Sequence, residues 1–151
     1  MDYPEINLLL ADDDKDDCLL FEEILDEIPL DAKLTTISNG AELMFKLNEV
    51  GYELPDIVFL DLNMPRKTGF ECLSEIKKNE KLKHLPVIII STSYQKDVID
   101  LLFDAGAHHY IHKSNNFLLL REAIFNSIIR TMKSNFSRPG KAEFELKAEP
   151  L

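Results

Sequence analysis

The stretch Ile57-Val58-Phe59-Leu60-Asp61-Leu62-Asn63-Met64-Pro65 decides how this chain is read. Four large or β-branched apolar residues in succession describe a strand buried on both faces. The acid that follows sits where the strand leaves the core, and a carboxylate there costs free energy unless its charge is compensated. Candidates for compensation end other apolar runs: Asp12-Asp13-Asp14 after Ile6–Leu10, Ser91 after Val87–Ile90, and Lys113 after Tyr110-Ile111. Acids, a hydroxyl and a lysine, each at the carboxyl end of a different strand, point to metal-dependent phosphoryl chemistry.

Outward from that stretch, apolar runs alternate with helix-period segments five times. The remaining run, Lys33–Ile37, completes the set, and the spacing between starts is about one βα unit each. Between the runs, Cys18, Phe21, Leu25 and Ile28 recur at helical spacing before Pro29, which ends that helix. Leu43, Met44 and Leu47 mark a second helix after Asn39-Gly40, and Phe70, Leu73 and Ile76 a third after Gly69. Val98, Leu101, Leu102 and Ala105 mark a fourth, closed by Gly106, and Phe117, Leu120, Ile124, Ile128 and Met132 a longer fifth. Five βα units predict an α/β fold, a doubly wound five-stranded parallel sheet of flavodoxin-like order 2-1-3-4-5 with helices on both faces. In that order strands 1 and 3 flank the switch point, where open α/β sheets bind ligands, and these strands end in the Asp12 run and in Asp61.

The 151 residues suit one domain, and 45% apolar with 29% charged residues is an ordinary globular composition. No apolar run approaches the roughly 18 residues of a membrane span. The start Met1-Asp2-Tyr3-Pro4-Glu5 has no signal-peptide pattern. Cys18 and Cys72 form no motif and read as small buried hydrophobes of a reducing compartment, so a cytoplasmic location is expected. A net charge of −10 without a concentrated basic face argues against nucleic acid or anionic lipid as direct partners. After Met132 the pattern changes. Residues 1–133 read as the domain and 134–151 as a tail, in which Glu143-Phe144-Glu145-Leu146-Lys147 alternates like a weak edge strand. Phe144 and Leu146 are expected to pack on the domain or on a neighbouring subunit of a homodimer.

Asp12 and Asp13 are candidate anchors of a divalent cation, since hard cations take oxygen ligands. Asp14, Asp16 and Asp17 read as helix-dipole and solvation residues. Asp61 is the candidate nucleophile, because a carboxylate can attack phosphorus to give an aspartyl phosphate. Three acids and one lysine balance to zero with a divalent cation, which removes repulsion toward an incoming phosphoryl group. The backbone carbonyl of Asn63 is a further candidate ligand, and Gly69 permits a tight approach before the third helix. Ser91 could donate to a phosphoryl oxygen, with Thr92 and Ser93 as rivals. Lys113 could pair with Asp61 and then with phosphate. Tyr110 reads as a core-edge aromatic or as a residue that swings inward when Ser91 moves. His108 and His109 point to opposite faces of a strand and, with His112, are not expected to form a metal cluster.

Together, Leu10-Ala11-Asp12-Asp13, Phe59–Pro65, Ser91-Thr92 and Tyr110-Ile111-His112-Lys113 resemble the receiver domain of two-component response regulators, over about Tyr3 to Met132. The run Leu60–Gly69 looks most like stand-alone regulators, including those paired with phytochrome-type kinases. The resemblance implies phosphoryl transfer from a phosphohistidine on a sensor histidine kinase or phosphotransfer protein to Asp61, with Mg²⁺ required and Mn²⁺ an alternative. It implies a shift between two conformations, read by a downstream protein on the surface from Lys96 to Met132.

Four positions depart from the pattern. Ser91 stands where threonine is usual, Thr92 where a small residue is usual, and Thr68 where aspartate is common. Ser114 replaces a proline that often follows the lysine in a cis bond. A cis bond to serine would cost about 2.5–4 kcal/mol, so a trans bond or an adjusted loop is expected. Two other functions compete. A phosphohydrolase of the haloacid-dehalogenase type also forms an aspartyl phosphate, but Asn63 stands where its second aspartate belongs and cannot act as acid or base. A phosphorylation-independent interaction scaffold is the other.

Overall fold

The computed structural model describes residues 5–93 and 95–146; Tyr3 and Lys147, which entered the sequence expectations, lie outside the described residues. The strands are β1 (Glu5–Ala11), β2 (Asp31–Ile37), β3 (Ile57–Asp61), β4 (Val87–Ser91), β5 (His109–His112) and β6 (Glu145–Leu146). The helices are α1 (Lys15–Glu27), α2 (Gly40–Leu47), α3 (Gly69–Lys78), α4 (Lys96–Asp104), α5 (Phe117–Lys133) and the single turn α6 (Lys141–Phe144). The sheet order is β2-β1-β3-β4-β5-β6 with every pair parallel. The order expected for the first five strands is the one observed. The count is corrected to six, because Glu145 and Leu146 pair with Tyr110 and Ile111 at the outer edge of β5.

Strand alternation divides the core in two. Leu9, Val58, Leu60, Ile89 and Tyr110 face α2, α3 and α4, where they meet Leu43, Leu73 and Leu102. Leu8, Leu10, Phe59, Ile88 and Ile111 face α1 and α5, where they meet Phe21, Ile24 and Ile128. The short C-terminal elements serve both halves, with Phe144 in the first and Leu146 in the second. Both side chains are buried, Phe144 at 2% and Leu146 at 8% exposed.

Helix ends are set by identifiable caps. Asp14 caps α1 through the N–H groups of Asp16 and Asp17, and α1 stops at Glu27 with Ile28 as its C-cap, ahead of Pro29. Thr68, to which the sequence assigned no chemistry, forms a capping box with Glu71 at the start of α3. Two helix-face expectations are corrected. Phe70 and Leu101 are exposed, because Cys72 and Ile99 occupy the inward positions beside them. Gly69 must be glycine, since a Cβ there would stand 2.3 Å from the Asp61 carbonyl oxygen. Among the described residues no helix is long and apolar enough to cross a membrane.

Candidate phosphoacceptor site

Parallel strands deliver their carboxyl ends to one rim, and the predicted residues meet there. β1 ends one residue before Asp12, whose N–H donates to the Ile37 carbonyl of β2. β3 ends on Asp61. Lys113 follows β5 and is fixed by donation of its N–H to the Ser91 carbonyl, at 2.8 Å. A cavity of about 530 Å³ opens over this rim, walled by Asp12, Asp13, Asp61, Asn63, Thr92 and Lys113 among others.

Carboxylate oxygens of Asp12, Asp13 and Asp61 lie within 4.8 Å of one another. Lys113 Nζ reaches Asp12 Oδ2 at 3.2 Å, Asp61 Oδ1 at 3.4 Å and Asp17 Oδ2 at 2.9 Å. The last contact corrects the expectation for Asp17, which holds the lysine instead of only facing solvent. It was legible in principle: Asp17 is the third residue of α1, and helical Cβ atoms tilt toward the N-terminus, here toward the strand ends. Asp14 remains a cap, and Asp12 Oδ1 accepts the Asp14 N–H at 2.9 Å.

The electrostatics fit a cation. Asp61 is 5% exposed, and burial pushes its pKa up to about 6, with Asp12 adding repulsion and Lys113 and the Asn63 N–H pulling the other way. Burial likewise raises Asp12, against the Asp14 N–H and Lys113. For Lys113, burial opposes the charge, yet Asp17, Asp61 and Asp12 together hold its pKa above the usual lysine value. One ammonium therefore leaves the acids under-compensated, and a hard divalent ion takes such oxygen donors.

The hydroxyl side is arranged less simply. Thr92 lines the cavity, whereas Ser91 is buried behind it with Oγ accepting the Ser93 N–H at 3.2 Å. Tyr110 is already fully buried, its hydroxyl donating to the Ser93 carbonyl at 2.7 Å. The ring thus lies inward in this structure and is tied to the β4–α4 loop. The Lys113–Ser114 bond is trans. The three histidines serve the C-terminal segment: His108 bonds the Phe136 carbonyl, His109 the Phe144 carbonyl and His112 the Glu145 carboxylate.

A parallel doubly wound sheet with clustered acids and a lysine at its switch-point rim defines a class of phosphoacceptor signalling modules. The chain belongs to the response regulator receiver domain family, whose model matches residues 8–125. Among curated proteins it resembles the response regulator Rcp1 of Synechocystis, with 36% identity over 113 residues, 72% of this chain and 77% of that protein. Among solved structures it resembles the phosphorylated cyanobacterial phytochrome response regulator RcpA, with 33% identity, a TM-score of 0.76 and coverage of 91% of this chain and 100% of that one. It also resembles the Mn²⁺-bound form of Rcp1, with 31% identity, a TM-score of 0.73 and coverage of 89% and 99%. Receiver domains bind a divalent metal in an acidic pocket and are paired with histidine kinases.

Proposed function

We propose that Asp61 accepts a phosphoryl group from a phosphohistidine, as the donor's N–P bond breaks and an O–P bond forms on the carboxylate. The observation that carries this reading is the convergence of Asp12, Asp13 and Asp61 within 4.8 Å, with Lys113 bonded among them. Asp12, Asp13, Asp61 and the Asn63 carbonyl would hold Mg²⁺, or Mn²⁺ in its place. Bound there, the ion would offset charge on the phosphoryl oxygens. Lys113 exchanges its Asp61 contact for a phosphoryl oxygen. Ser91 or Thr92 supplies a hydroxyl, and either choice moves the Ser93 carbonyl that Tyr110 holds.

The reading makes the protein a signalling module that turns over only its own phosphoryl group. Likeness to Rcp1 and RcpA supports a phytochrome-type histidine kinase, or a phosphotransfer protein, as donor. The readout is the surface of α4, β5 and α5, with the C-terminal segment 134–146 as an appendage of the 1–133 unit that forms part of that surface. A cytoplasmic downstream protein, or a second copy of the chain, is its partner. The test is intact mass after incubation with an acyl phosphate, with Mg²⁺ and with chelator. A single metal-dependent adduct lost in Asp61→Asn is expected; an adduct that survives the substitution overturns the assignment. Unchanged partner binding by Asp61→Asn would favour the interaction scaffold instead.

A further inference from the structure

The opposite rim of the sheet carries a second polar cavity, unrelated to the acids. It has a volume of about 230 Å³ and lies between the end of α3, the turn after α4 and the segment after α5. Lys77, Lys83, His84, His108 and Arg138 line it, and no carboxylate is among its lining residues. Five basic side chains around one cavity are unexpected in a chain of net charge −10.

Three of these groups lack an anionic partner. Lys77 Nζ donates to the Leu85 carbonyl at 2.7 Å and to the Lys83 carbonyl at 3.2 Å, leaving one N–H, and it makes no ion pair among the described residues. Arg138 donates to the Phe103 and Ala107 carbonyls and lies 4.5 Å over the Phe103 ring, leaving part of its fork undirected. His108 is 3% exposed, its Nε2 bonds the Phe136 carbonyl, and its buried Nδ1 has no partner among the described residues. The cavity also depends on a glycine. A Cβ on Gly106 would stand 3.0 Å from Lys77 Cγ, so the missing side chain leaves room for the lysine stem along the wall.

Burial and neighbouring basic groups both act against charge here. Burial first, then Arg138, holds Lys77 down to about 8. Burial first, then Lys77, holds His108 down to about 4. Two acids act at the margin: Glu80 pairs with Lys83 at the surface, and Asp104 acts on Arg138 without an ion pair among the described residues.

We propose that this cavity binds a small, multiply charged oxyanion of the phosphate or phosphate-monoester class, gripped by Lys77 and Arg138, with His108 as part of the wall. Charged donors on two walls, Lys77 from α3 and Arg138 from the segment after α5, suit an acceptor with oxygens on several sides of one centre, which a planar carboxylate does not offer. The volume lies below the roughly 300–1,000 Å³ of drug-sized sites, which fits a small ligand. Because Arg138 belongs to the C-terminal segment and Lys77 to α3, the ligand also clamps that segment to α3.

The test titrates the full chain, in chelator, with orthophosphate and separately with a small phosphomonoester, following backbone amide shifts against chloride at matched ionic strength. Without a divalent ion the acidic rim repels phosphate, so the two sites are separable. Saturable shifts are expected at Gly106, His108 and Ser137, unchanged in Asp61→Asn. Affinity is expected to fall about tenfold in Lys77→Met and in Arg138→Gln. Tighter binding of the monoester than of orthophosphate would identify an ester as the ligand; equal binding would identify the free ion. Arg138→Gln keeps the test valid should Lys77→Met fail to fold. Shifts that chloride reproduces, that centre on Asp61, or that ignore both substitutions overturn the proposal. An acidic peptide binding more tightly than either phosphate probe would also overturn it.

Discussion

At Asp61 the fold works against the charge that the chemistry requires. Its pKa stands at about 6 in the folded chain, above the roughly 3.9 of an unfolded aspartate. The native state therefore binds the proton more tightly, and metal-free stability rises as pH falls from about 6 toward 4. At neutral pH the ionised group costs up to about 3 kcal/mol. Asp61→Asn, measured by urea unfolding in chelator at about pH 7.5, is expected to stabilise the fold by about 1–3 kcal/mol. The gain should shrink at about pH 4.5; a gain unchanged by pH would show that the cost is not electrostatic. Mg²⁺ should narrow the same gap at neutral pH by binding only the ionised acids. Asp12, Asp13, Asp61 and Lys113 were legible because each ends an apolar run, so strand topology alone carries them to one rim. Asp17 was legible only through the tilt of helical side chains toward the N-terminus, and Tyr110 was not, since its contact depends on side-chain direction and not on position in the alternation.

Among elements, the turn between β3 and α3 carries a steric demand that bears directly on the site. Gly69 donates its N–H to the Leu62 carbonyl at 3.0 Å, and Thr68 caps the helix one residue earlier. Gly69→Ala would drive a methyl into the Asp61 carbonyl and is expected to cost about 1–3 kcal/mol, with lower phosphorylation by an acyl phosphate because Asp61 moves. Gly51→Ala is the control. It has φ of +82° but nothing within 4 Å, so about 1 kcal/mol of backbone strain and unchanged phosphorylation are expected. Thr68→Ala should cost about 1 kcal/mol through the lost cap. Equal effects of the two glycine substitutions on phosphorylation would contradict the steric account. The capping box was readable as Thr-x-x-Glu. The exposure of Phe70 and Leu101 was not, because a helical stripe of apolar residues is wider than the part that meets the sheet.

In the whole molecule, the C-terminal segment joins the two halves of the core at the β5 edge. Phe144 is 2% exposed and packs edge-on against Phe103 at 5.2 Å between centroids, and Leu146 reaches the opposite face. Lys141 adds an ion pair to Asp100 of α4 at 3.6 Å. The sequence showed alternation over these residues, but two residues of strand are too short for a periodicity argument to fix pairing or direction. What decides the pairing is tertiary: β5 presents an unpaired edge, and Phe144 and Leu146 can fill both cores only from there. Phe144→Ala is therefore expected to cost about 3–5 kcal/mol, as a core aromatic does, despite its place in a single-turn helix near the chain's end. A chain ended after Lys133 should lose at least as much and also expose the β5 edge, which favours pairing with another copy. Light scattering after size exclusion, across a concentration series, should show the shortened chain associating further than the intact chain at each concentration. A truncated chain that stays monomeric and as stable as the full one would mean that β6 covers the edge without holding it.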